Sequence, residues 1–182
     1  PWINMGWVDS STLNELDPIL GVRESKSAGY NNERLVLLDN GKARTFYFSI
    51  FNTNLGTLKF LNSKNNYPEL TGILTNLYKN FIVLSWKLLG KNGITGLIHP
   101  EGVYNDPSGG TLRASLYKRL RAHYQFRNQF MLFEDVAHRE EFSINIYGNL
   151  QTDAFFYHLS NLFKAITIKQ SFLHKNTNDP IP

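Results

Sequence analysis

Between residues 76 and 100 the chain reads NLYKNFIVLSWKLLGKNGITGLIHP, a helix-forming stretch that runs through a Lys-Asn-Gly stop into a short apolar strand. Leu77, Phe81, Leu84 and Leu88 recur at spacings of three and four, which predicts an amphipathic helix over 75–89 with those side chains facing the core. Gly90 to Gly93 ends it, and 94–98 reads as a buried strand. A helix handed directly to a buried strand is half of an α/β unit, so this stretch limits the fold class more than any other in the chain.

The residues that follow extend the same pattern. A loop over 101–110 leads into a predicted second helix, 111–123, carrying Leu112, Leu116 and Leu120. Two strands are predicted next, 124–133 and the alternating EFSINIY of 141–147, joined by a charged turn over 134–140. Helix, strand, helix, strand, strand implies a parallel sheet finished by a reversed strand.

Upstream, Ser10-Ser11-Thr12 are expected to cap a short helix through Leu13, Leu16 and Leu20, with Pro18 either limiting it or sitting in its first turn. Over 33–62 alternation and helical spacing both fit, so about 9–70 is expected to be an irregular insertion with at least one helix. Beyond residue 148, Phe155, Phe156, Leu159, Leu162, Phe163 and Ile166 suggest a linker helix. The expected organisation is therefore a unit over 1–148 and a linker over 149–182.

With 182 residues, 42% hydrophobic and 19% charged, the chain can bury one sizeable core. It has no cysteine, which excludes disulfides, thiolate-bound zinc and thiol nucleophiles, and a cytoplasmic setting is expected. His99, His123, His138, His158 and His174 lack close ligand spacing, so no metal site is expected. No apolar run approaches the roughly 20 residues of a membrane span. The net charge of +4 and a pI near 9.3 lean towards an anionic partner. Ser108-Gly109-Gly110-Thr111 reads as an ordinary helix start.

From residue 76 onward the chain resembles gamma-class N6-adenine DNA methyltransferases of restriction-modification systems. Asn76, Leu77, Tyr78 and Phe81 match the start of a family helix, Leu88 and Leu89 its end, Gly93 the turn, and Pro100 the end of the following strand. The run HPEGVYNDPSGGTLRASLYKRLRAHYQFRNQFMLFEDV, residues 99–136, is similar to a bacterial subgroup whose Asn-Pro-Pro-aromatic motif ends in Trp. Of that motif only the last two positions are present, as Pro1 and Trp2.

The resemblance implies a partial Rossmann-like fold, the later strands of the sheet ending in an antiparallel strand, dependent on S-adenosylmethionine. Methylating the exocyclic amine of adenine requires the base to leave the duplex and to be held by stacking. The family motif assigns one face of that base to Trp2, and Phe133 best matches the aromatic on the other face, with Phe130 and Leu132 on the same segment. Pro1 carries over to both the catalytic motif and the cofactor pocket, and Phe81 to the cofactor pocket. Core packing accounts equally well for Trp2 and Phe133, and better than cofactor contact for Phe81.

The family's Gly-rich cofactor turn and its acidic partner have no counterpart here. The expected partners are double-stranded DNA, with Arg139 on its phosphates, and either the other half of the domain or a second copy. The chain alone is expected to be inactive. The rival readings are a methyltransferase acting on protein glutamine or RNA, and a non-catalytic DNA-binding or assembly module.

Overall fold

Four strands form one mixed, open sheet in the order β1-β3-β2-β4: β1 (Thr95–Pro100), β2 (Leu120–Arg127), β3 (Glu141–Tyr147) and β4 (Tyr157–Leu162). The computed structural model describes residues 2–22, 28–175 and 178. β3 runs antiparallel to both β1 and β2, and β4 lies parallel to β2. The carboxyl ends of β1, β2 and β4 therefore share one end of the sheet, where open α/β sheets bind their ligands. The reversed strand sits inside the sheet, between β1 and β2, rather than finishing it, and β4 forms the edge beyond β2.

Helices complete an α/β arrangement: α1 (Asp9–Leu16), α2 (Pro18–Val22), α3 (Ala28–Asp39), α4 (Gly41–Leu61), α5 (Leu77–Lys87), α6 (Gly102–Asn105), α7 (Gly110–Tyr117) and α8 (Ile166–Leu173). A 3-10 turn, Pro68–Leu70, leads towards α5. The stretch expected to hold at least one helix holds α3 and α4. Asn40 caps α4 by accepting from the amides of Lys42 and Ala43 at 2.9 and 3.2 Å.

These first helices have a small core of their own, made by Leu13, Leu20, Tyr30 and Tyr47. Asp9 ties it together, accepting from Arg34 Nε at 2.9 Å and from the hydroxyls of Tyr30 and Tyr47. Burial opposes its ionisation, yet those donors together hold its carboxyl below the ordinary value.

Register decides the two faces of the sheet. Gly96, Ile146, Ala122 and Tyr157 lie in one cross-strand row, and Ile98, Ile144, Tyr124 and Leu159 in the next. Pro100, Phe142, Phe126 and Leu162 make a third, so this face is apolar. The opposite face carries His99, Ser143 and Gln125, then Leu97, Asn145, His123 and His158. Beneath it lies the main core, where Ile82, Val83, Val103, Leu112, Leu116, Leu120 and Tyr147 are all buried.

Several expected elements are corrected here. α5 presents Tyr78, Ile82, Val83 and Trp86 to the core, whereas Phe81, Leu84 and Leu88 are exposed. Apolar residues fall at helical spacing on both sides of α5, Leu77, Phe81 and Leu84 on one and Tyr78, Ile82, Val83 and Trp86 on the other, so periodicity could not choose between the two stripes. The second helix stops at Tyr117, and Leu120 opens β2 instead of closing a helical stripe. β2 ends at Arg127, and 128–133 forms a 3-10 turn and loop rather than more strand. The predicted linker helix is replaced by β4 followed by α8.

The turn between α5 and β1 needs its glycine. A Cβ at Gly93 would fall 2.9 Å from the Gly90 nitrogen, a backbone atom that cannot yield cheaply. The assignment of faces on α5 is open to measurement by urea denaturation. Ile82→Ala, at a site with 0% exposure, is expected to cost about 2–5 kcal/mol. Leu88→Ala, at a site 76% exposed, is expected to change stability by about 0.5 kcal/mol or less. The opposite ranking would restore the stripe first expected from spacing.

Candidate functional site

Trp2 and Phe133, far apart in sequence, meet at the carboxyl end of β1. Their ring centroids are 6.1 Å apart with planes at 72°, an edge-to-face contact. The Trp2 segment is tied to the start of α5 by Leu77 N donating to Ile3 O at 3.0 Å and Met5 N donating to Thr75 O at 3.1 Å. The indole Nε1 reaches the Ile98 carbonyl at 3.4 Å, so the ring lies beside the outer edge of β1. Phe133 rests edge-on against Phe142 of β3, with centroids 4.9 Å apart.

A buried amide holds Phe133 in place. Asn128, with 0% exposure, accepts from the Phe133 amide at 3.0 Å through Oδ1. Its Nδ2 donates to the carbonyls of Phe133 and Val136 at 2.8 and 2.6 Å. One side chain thus closes the whole turn between β2 and β3, satisfying backbone groups that no sheet ladder reaches. Met131 takes a left-handed conformation with φ of 52° to make that turn.

Beside the loop lies an open cleft of about 400 Å³ lined by Arg127, Gln129, His138 and Arg139. Arg127 donates from Nε to Glu141 at 3.1 Å, and no acidic side chain lines the cleft itself. Arg139 is exposed. Of the other residues singled out from the sequence, Phe81 stands 47% exposed on α5. Pro1 lies outside the described residues.

The opposite face of the sheet carries a second polar assembly that sequence reasoning mostly passed over. His99 is buried, and its Nδ1 donates to the Pro100 carbonyl at 2.9 Å. Its Nε2 therefore accepts from the Tyr147 hydroxyl, at 2.8 Å. Burial pushes the imidazole down to about 4, well below its ordinary 6.5.

Glu101 accepts from His123 Nε2 at 3.1 Å, and His123 Nδ1 lies 2.9 Å from His158 Nδ1. The two imidazole planes differ by only 8° with centroids 4.9 Å apart. The 2.9 Å separation of the facing nitrogens fits a shared N–H···N bond between the two imidazoles. Burial raises the Glu101 carboxyl, but bonds from His123 and Ser143 outweigh it and leave the group below its ordinary value. Tyr104 donates to Asn145, whose amide returns to Ser143 Oγ at 2.8 Å.

Among the described residues no group of three or more His, Cys, Asp or Glu side chains is placed to hold a metal. None of their helices is long and apolar enough to cross a membrane. The signal for the polar row was present in the sequence: Ser143 and Asn145 alternate with Phe142, Ile144 and Ile146. His123 and Gln125 repeat that alternation on β2.

Comparison with protein-family models, with curated proteins and with solved structures yields no match to this chain.

His99 generates a pH-dependent stability. The fold holds its neutral form, so that contribution is complete above pH 6.5 and is lost as pH falls towards 4. The expected loss is about 3 kcal/mol in urea denaturation. His99→Gln removes this titration and flattens the curve by a similar amount. Parallel curves for wild type and variant would show that the imidazole charges freely in the folded protein.

Proposed function

We propose that this chain is the carboxyl-side part of a Rossmann-like, S-adenosylmethionine-dependent DNA methyltransferase domain that modifies N6 of an extruded adenine. The observation that carries the reading is the meeting of Trp2 and Phe133 at 6.1 Å. Those are the two rings that the resemblance assigns to the opposite faces of the base. Support also comes from the reversed strand β3 between β1 and β2, which suits the later part of such a sheet.

In the observed arrangement the rings touch each other, and no slot stands open. A sandwiched base needs each ring parallel to it at about 3.5 Å. The indole must therefore turn from edge-on to face-on as adenine enters, while Phe133 is held by Asn128. Phe81, exposed on α5, is available to a cofactor whose main binding elements lie in the other half of the domain. That half joins along the outer edge of β1 on this reading, and Arg139 contacts a DNA phosphate.

The test is transfer of labelled methyl from S-adenosylmethionine by the full-length protein, with N6-methyladenine in duplex DNA as the expected product. Trp2→Ala and Phe133→Ala are each expected to lower kcat/KM by about tenfold to a hundredfold, the loss of one stacking face. Folding is checked by circular dichroism. Label on a protein glutamine or on RNA would replace the reading with the corresponding methyltransferase. Duplex binding without transfer would leave a non-catalytic DNA-binding module.

A further inference from the structure

The loop between β2 and β3 exposes four consecutive apolar side chains, Phe130 at 59%, Met131 at 49%, Leu132 at 45% and Phe133 at 37%. An apolar run on a loop tip is costly in water, and contiguous exposed apolar surface marks contact sites. This one is rigidly built. Besides the three Asn128 side-chain bonds, Met131 N donates to Asn128 O at 2.9 Å and Asn128 N to Glu140 O at 3.1 Å.

Phe133 is spoken for by Trp2 and Phe142, and Phe130 lies against Phe163 and the Lys164 ammonium. Met131 and Leu132 are left as the projecting pair. The flank of the same loop is the donor-lined cleft of Arg127, Gln129, His138 and Arg139, with room of about 400 Å³. Among the described residues the side chains of His138 and Arg139 have no hydrogen-bond or ion-pair partner.

We propose that this loop is a wedge that opens a nucleic-acid duplex: the cleft seats a backbone phosphate while Met131 and Leu132 enter between neighbouring bases. The inference rests on the reading above and deepens it, since it supplies a route by which a base leaves the stack. Apolar side chains inserted at a base step unstack it, and cations on the backbone hold the strand in register.

An anionic membrane surface shares the apolar-plus-cationic chemistry. Glu134 and Asp135 argue against it, because they directly follow the tip and are exposed. A bilayer would draw the whole loop into its anionic headgroup layer. A duplex takes in only the two projecting side chains and leaves the acids, which do not line the cleft, away from the seated phosphate.

The probe is a duplex carrying 2-aminopurine, whose fluorescence rises on unstacking, titrated with the protein while anisotropy reports binding. Wild type is expected to bind and to raise the fluorescence. The double variant Met131→Ser/Leu132→Ser is expected to bind with similar affinity and lose most of the rise. Arg139→Ala is expected to weaken binding about tenfold and to reduce the salt dependence by about one phosphate contact.

A double variant that unstacks as well as wild type overturns the wedge and leaves the methyltransferase reading standing. So does wild-type binding with no fluorescence change. Unstacking without any methyl transfer by the full-length protein sinks that reading while the wedge persists. Binding to phosphatidylserine vesicles but not to the duplex overturns both.

Discussion

β3 carries opposite chemistries on its two sides, and its pairing with β1 and β2 fixes which side meets which core. Ser143, Asn145 and Tyr147 face the helices, where His99, Glu101 and Tyr104 satisfy them. Phe142, Ile144 and Ile146 face the other way, against Tyr124 and Phe126. A slip of one residue would send the polar row into the apolar layer and strand its donors there. The buried polar groups of that row find their partners in the observed register, so the network helps to specify the sheet that the hydrophobic rows stabilise.

The same register delivers the two ends of the candidate site. Pairing of Pro100 with Phe142, and of Phe142 with Phe126, brings the exits of β1 and β2 to one end of the sheet. Trp2 arrives there beside β1, and the β2–β3 loop arrives above Phe142. The encounter of Trp2 and Phe133 follows from strand order together with the Asn128 turn. Neither ring needs a long-range pairing of its own.

What could be read beforehand followed the strength of local patterning. EFSINIY alternates cleanly, and β3 occupies the 141–147 expected of it. α5 and β1 were legible because Gly93 enforces the turn between them. Leu120 was misassigned because a leucine four positions after Leu116 satisfies the helical period, while strand pairing from Leu120 onward buries the alternating side chains of LRAHYQFR. β4 was hidden because Leu159 and Leu162, three positions apart, fit a helical period, and its strand conformation comes from pairing with β2 rather than from its own pattern. The His123–His158 pair was illegible for the same reason. Its members are 35 positions apart and are joined only by that parallel pairing.

On the proposed reading, the edge-to-face contact of Trp2 and Phe133 is also what a base must displace, and magnitudes decide whether it can. An aromatic pair of this kind contributes about 0.5–1.5 kcal/mol beyond the area it buries. Stacking a base on an aromatic ring contributes about 1–3 kcal/mol, and a sandwiched adenine gains two such faces. The exchange therefore favours the base, leaving a surplus to set against the few kcal/mol of unstacking it from the duplex. The ring contact shields apolar surface from water while no base is present, yet is weak enough to give way. Phe133, fixed by the buried Asn128, supplies the stationary wall. Trp2, whose indole packs against both cores and makes one long 3.4 Å bond to Ile98, supplies the one that turns on this reading.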